Sequence, residues 1–84
     1  MEQFETGMMA RSKSGHDAGK VYVITKVEEA YVYLVDGKGR TLDKPKKKKK
    51  KHVQLIKESF DVQGATDVDI KRWIKIWNKE DNQN

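Results

Sequence analysis

A chain of 84 residues has room for one small domain with a thin core. It contains no cysteine, which excludes a disulfide framework and a thiolate metal site and fits a reducing, intracellular setting. The net charge of +5 is segregated: 14 Lys or Arg face 5 Asp or Glu between Met9 and Lys57, while the rest of the chain holds 4 and 8. A basic middle between acidic ends points to a polyanionic partner.

The N-terminal MEQFETGMMARS has acidic residues and no apolar run, unlike a secretory signal. No stretch approaches the roughly 18 apolar residues of a membrane span. The expectation is a soluble, cytoplasmic protein with no membrane partner.

In chain order, residues 1–6 read as a flexible lead-in. Met8 to Lys13 reads as a strand, with Ala10 and Ser12 on one face and Arg11 and Lys13 on the other. Ser14 to Gly19 is a loop, in which two glycines permit positive φ and Asp17 can accept bonds from nearby backbone amides. Val21 to Val27 is a second strand, favoured by its β-branched residues. Glu28 to Ala30 is a short connection, and YVYLV at Tyr31 to Val35 is a third strand and the most apolar run. Asp36-Gly37 begins a hairpin-type turn, DGKG, which predicts a fourth strand over Arg40 to Asp43. Six consecutive lysines, Lys46 to Lys51, interrupt the pattern, and His52 to Ile56 reads as a short fifth strand. Short strands joined by tight turns predict a small barrel, whose closure hides the edges that an open sheet exposes.

Beyond a linker at 58–65 the pattern turns helical. Thr66-x-x-Asp69 is a helix-start signature, since Thr66 can cap the Asp69 amide. Ile70, Trp73, Ile74 and Trp77 recur at the spacing of one helical face. Lys71, Arg72, Lys75 and Lys79 lie largely off that face, and cations near the C-terminal end suit the helix dipole. The helix is expected over 66–80, with a frayed tail at 81–84. The fold class is therefore mainly β with a C-terminal amphipathic α-helix.

Ser14-Gly15-His16-Asp17-Ala18-Gly19-Lys20, followed by a Val/Ile strand, resembles the KOW motif. Leu34-Val35-Asp36-Gly37 and Lys51-His52-Val53-Gln54-Leu55 are similar to segments of that family's ribosomal branch. The branch includes eukaryotic large-subunit ribosomal proteins fourteen and twenty-seven and short KOW-domain RNA-binding proteins of bacteria. The resemblance covers about residues 7–56, and one departure stands out: many KOW sequences have another glycine where this chain has Val21 and Tyr22. It implies an SH3-like β-barrel over 7–57 that contacts ribosomal RNA, the large ribosomal subunit or other structured RNA. By position it places Lys13, Ser14, Gly15, His16, Lys20 and the Asp36-Gly37 turn near that RNA.

The residues support the same expectation independently. Backbone amides of a glycine loop bind phosphate oxygens, and Lys13, His16, Lys20 and Arg40 add attraction without base reading. Strand alternation would send three of Lys46, Lys47, Lys48, Lys49, Lys50 and Lys51 to each face. The block is therefore expected as a protruding loop or an extended edge that captures polyanions in a salt-dependent way.

Each feature also has a plainer account. The lysines can be a solvated, self-repelling segment, and Pro45 with its lysines also resembles a nuclear import signal. The glycines can serve a tight turn alone. Tyr22, Tyr31 and Tyr33 can stack on bases, but core positions are expected for Tyr31 and Tyr33. Trp73 and Trp77 are expected to pack the helix on the barrel, the alternative being contact with a partner protein. That alternative makes the chain a protein-interaction adaptor whose lysines serve solubility. His16 and His52 have no cluster of further ligands, and no nucleophile or nucleotide fingerprint is present. No enzyme activity, cofactor, metal or small-molecule substrate is expected.

Overall fold

The structure, a computed structural model, describes residues 3–81. Its strands are β1 (Met8–Ser12), β2 (Val21–Val27), β3 (Tyr31–Val35), β4 (Lys46–Lys49) and β5 (Val53–Ser59), followed by helix α1 (Asp67–Asp81). The five strands form one antiparallel sheet in the order β4-β3-β2-β1-β5. β4 and β5 sit at opposite ends of that sheet, yet only a 3-10 turn over Lys50–His52 separates them along the chain. So short a link requires the sheet to curl strongly. Ladder irregularities between Met8 and Met9 and between Ile24 and Lys26 supply local bends. Among the described residues no ladder joins β4 to β5, and the sheet is not closed.

Alternation along the central strands buries both of their faces. One face collects Ala10, Tyr22, Ile24, Val32, Leu34, Val53 and Leu55 around the inside of the curl. The other brings Met9, Val21, Val23 and Val35 against Ile70 of α1, flanked by Trp73, Ile74 and Trp77. Ile70 is fully buried, and Phe60, just after β5, stacks on Trp73 with ring centroids 4.7 Å apart. The helix thus covers a second apolar layer that a lone small sheet would expose. Its start carries the expected cap, the Asp69 amide donating to Thr66 Oγ1 at 3.2 Å, and adds the reciprocal bond from the Thr66 amide to Asp69 Oδ2 at 3.0 Å. The Thr66 amide, first among these contacts, holds the Asp69 carboxyl below its usual range. No helix among the described residues is long and apolar enough to cross a membrane.

Several expectations need correction. Arg40 to Asp43 forms turns, and the first four lysines of the block form the fourth strand in its place. The reason is register: β4 pairs with β3 from Leu34↔Lys46 to Tyr31↔Lys49, so a ten-residue connection at 36–45 replaces the tight hairpin. That connection is folded locally. Asp36 Oδ1 accepts from the Lys38 and Arg40 amides at 2.9 and 2.8 Å, and the Leu42 amide donates to Asp67 Oδ1 at 2.8 Å. The last strand runs to Ser59 and starts at Val53, because His52 belongs to the preceding turn. Tyr31 and Tyr33 lie opposite Lys49 and Lys47 on the outer face of the edge, outside both cores. Phe4, within the segment read as a loose lead-in, packs half-buried against the first core. Residues 1–2 of that lead-in and 82–84 of the tail lie outside the described residues.

Gly37 joins the β3–β4 connection to the helix. It has φ of 77°, and a Cβ there would run into the Asp67 carbonyl oxygen and crowd the Lys71 amide. Gly37→Ala is expected to lower the unfolding free energy by about 2 kcal/mol, read by urea denaturation. A change below about 0.5 kcal/mol would show that the loop and helix do not depend on this close approach.

Candidate nucleic-acid interface

The β1–β2 loop is closed by its own backbone. The Ser12 amide donates to Lys20 O at 2.9 Å, the Gly19 amide to Ser12 O at 2.8 Å, and the Lys20 amide to Asp17 O at 2.9 Å. Gly15 and Gly19 both take positive φ, 85° and 91°, as the turn reading requires. This conformation turns Asp17 inward, where only 6% of it stays exposed.

Asp17 is the centre of a polar cluster that the sequence alone did not reveal. Its carboxylate accepts from Ser12 Oγ at 2.9 Å and from the Tyr22 hydroxyl at 3.2 Å. It also pairs with Lys46 Nζ at 2.9 Å and Lys48 Nζ at 3.1 Å. Lys48 donates further to Ser14 O at 3.0 Å. Burial by itself would raise the Asp17 carboxyl; bonds from Lys46, Lys48 and Ser12 overcome it and hold the group far below the usual carboxylate range. Burial, followed by the Asp17 charge, pushes the Tyr22 phenol up to about 12.

The lysine block is therefore not one unit. Lys46 and Lys48 turn inward onto Asp17. Lys47 lies on the outer face, with Nζ 4.4 Å from the Tyr31 ring centroid and 3.9 Å from Glu28. Lys49, Lys50 and Lys51 line a separate depression of about 480 Å3 beside Tyr31.

At the loop end, a shallow opening of about 250 Å3 lies over the Asp17–Tyr22 cluster, walled by His16, Lys20, Arg40, Lys46 and Asp36. The structure thus joins five residues singled out from sequence. Lys20 and Asp36 also border a neighbouring groove of about 480 Å3 walled by Lys38, Lys71 and Lys75. Sequence reasoning missed these three as site residues. The available signal was the i, i+4 spacing of Lys71 and Lys75, which puts them on one helix face, but only the fold shows that this face meets the Asp36–Lys38 turn.

The remaining sequence candidates have other placements. Ser14 contributes its carbonyl to the Asp17 cluster, and Gly15 lies beside Asp17. Lys13 is exposed next to the 3-10 turn, its amide donating to His52 O at 2.8 Å. Gly37 packs against the helix start, and the Asp36 carboxylate is occupied by its own turn.

Compared with known proteins, the chain matches no family model and no curated protein.

The paired state of Asp17 makes stability pH-dependent. Its carboxyl is depressed in the folded chain, so the unfolded chain binds the extra proton first on acidification. Its contribution is complete above the ordinary carboxylate range and shrinks as pH falls below about 4. Asp17→Asn is expected to cost about 2–3 kcal/mol at neutral pH, with a gap to wild type that narrows toward pH 2. Chemical denaturation across that range measures it; a gap independent of pH would mean the pairing is not what Asp17 contributes.

Proposed function

We propose that this protein binds structured RNA, without catalysis, through the phosphate backbone. The observation that carries this reading is the loop-end surface, where His16, Lys20, Arg40 and Lys46 surround one opening and Lys38, Lys71 and Lys75 extend it. Lys46 and Lys48 are spent on Asp17 beneath that surface, and Lys20, Arg40, Lys38, Lys71 and Lys75 outnumber the one further carboxylate, Asp36, which accepts from its own turn and keeps its charge. Positive charge at the rim is thus left for a partner. A concave basic surface on rigid turns positions phosphates and reads shape, with no side chain set to discriminate bases.

The resemblance to the KOW family's ribosomal branch makes ribosomal RNA in the large subunit the proposed target and the cytoplasm the proposed setting. The same resemblance, with a curled sheet whose end strands are linked by a three-residue turn, supports an SH3-like barrel as the finer description of the fold. The adaptor reading has less behind it. Trp73 and Trp77 pack toward the sheet, and the apolar surface that α1 leaves exposed is chiefly Val68 and Ile76.

Binding of a labelled RNA hairpin by fluorescence anisotropy across a salt series tests the reading. The double variant Lys20→Ser, Arg40→Ser is expected to weaken binding and lower the slope of log affinity against log salt by about 1.5. An unaltered slope would sink this surface as the interface. In lysate sedimented through sucrose, the protein is expected to co-migrate with the large ribosomal subunit at high salt. Its absence from ribosomal fractions at low salt would defeat the ribosomal assignment.

A further inference from the structure

We propose that Tyr31 is a stacking platform for an unpaired base of the bound RNA, with Lys49, Lys50 and Lys51 receiving the adjoining phosphates. This rests on the RNA-binding reading and adds a second site, at the opposite end of β4 from the loop-end surface. Strand pairing sets it up. Tyr31 opposes Lys49 on the outer face of β3, which leaves its ring half-buried and out of both cores. Tyr31 lines a depression of about 480 Å3 together with the three lysines, Ala30 and Glu29. That volume lies in the range of small-ligand sites, roughly 300–1,000 Å3, and admits a nucleobase.

The neighbouring groups single out Tyr31. Tyr33 is engaged by its own surroundings: its hydroxyl donates to Glu28 at 3.4 Å, and Lys26 and Lys47 lie 5.2 and 5.9 Å from its ring centroid. Tyr31 meets one cation, Lys47, whose Nζ lies 4.4 Å from its ring centroid, against two for Tyr33, and the stacked base takes the ring face away from Lys47. The lysines of this depression are not those held by Asp17. An aromatic face beside several ammonium groups matches the two parts of a single-stranded nucleotide, a π surface and a phosphate. Paired bases are closed to such contact, because their faces are stacked inside the duplex.

The test compares wild type, Tyr31→Ala and Tyr31→Phe, as full chains, binding a labelled single-stranded oligoribonucleotide and the same sequence annealed as a duplex. Tyr31→Ala is expected to weaken single-strand binding about tenfold and duplex binding less than twofold, with Tyr31→Phe retaining wild-type affinity. Unchanged single-strand affinity in Tyr31→Ala overturns the platform and leaves backbone binding standing. Equal loss on both RNAs, or loss in Tyr31→Phe, also overturns it. Failure of wild type to bind either RNA removes the platform and the RNA reading together. Should Tyr31→Ala not fold, the wild-type NMR spectrum decides. Added single strand is expected to move the Tyr31 ring protons upfield, and stationary signals overturn the proposal. A single-stranded DNA of the same sequence, included in parallel, separates RNA preference from general base stacking.

Discussion

A run of lysines can form a strand beside an apolar interior only if something inside receives the ammonium groups that alternation turns inward. Asp17 is that receiver. Its carboxylate meets Lys46 and Lys48, while Ser12 and Tyr22 occupy its remaining capacity. The dependence is mutual. An unpaired carboxylate that is only 6% exposed would be costly to keep ionised, and the loop that carries it would have no reason to turn inward. Buried ion pairs add little net stability compared with apolar packing, but they specify arrangement. Here the arrangement at stake is register. A homopolymer run has none of its own, since sliding β4 by two residues would present Lys48 and Lys50 where Lys46 and Lys48 now stand. The run is pinned from its C-terminal side, where the Lys50 amide donates to Ala30 O at 2.9 Å and the Lys13 amide to His52 O at 2.8 Å.

That pinning divides the basic charge by position. Two lysines of the strand are structural, and the loop-end cations come from three separate parts of the chain: the β1–β2 loop, the β3–β4 connection and α1. Helix placement is what unites them. Gly37 lets the connection lie against the first turn of α1, and Asp67 takes the Leu42 amide, so the Lys71 and Lys75 face is held beside Lys20 and Lys38. The same helix buries the second core, which means the basic groove exists only when the hydrophobic layer is intact.

Much of this was legible in the residues. β2 and β3 follow directly from their β-branched and aromatic runs, and the Thr66–Asp69 cap and the Ile70–Trp77 stripe place the helix and its packed face. The failures have a common cause. Lysine has low strand propensity, so a polylysine strand is invisible to local preference and is created by an acceptor on a distant loop. The block forms the extended edge that was one of its two expected forms, but without its register to β3 the Asp-Gly turn takes the next residues, Arg40 to Asp43, as its partner strand. Tyr31 and Tyr33 were misplaced for a related reason. Alternation shows that they share a face with Val35 but not that the helix covers only the Val35 end of it. For the site, the loop cations were readable, whereas the helix lysines required knowing which turn the helix would touch.

An edge strand with tyrosines on the adjoining strand is an aggregation hazard unless charge guards it. In β4 the outward Lys47 lies over Tyr31 and Tyr33, and Glu28 lies within 3.9 Å of its Nζ. Protection of this kind needs charge, and at position 47 the sign matters too, because an acid there would face Glu28 and the electron-rich faces of two tyrosines. Inward-facing acids at positions 46 and 48 would repel Asp17, which the two lysines there neutralise. Lys47 answers to Glu28 and the two tyrosine rings, and Lys50 Nζ lies 5.7 Å from the Phe4 ring centroid, but Lys49 and Lys51 have no such partner among the described residues. The proposed anionic partner would give those two a role. The case for RNA at this edge therefore comes from the lysines that the fold does not consume, beside an aromatic ring that the core does not take in.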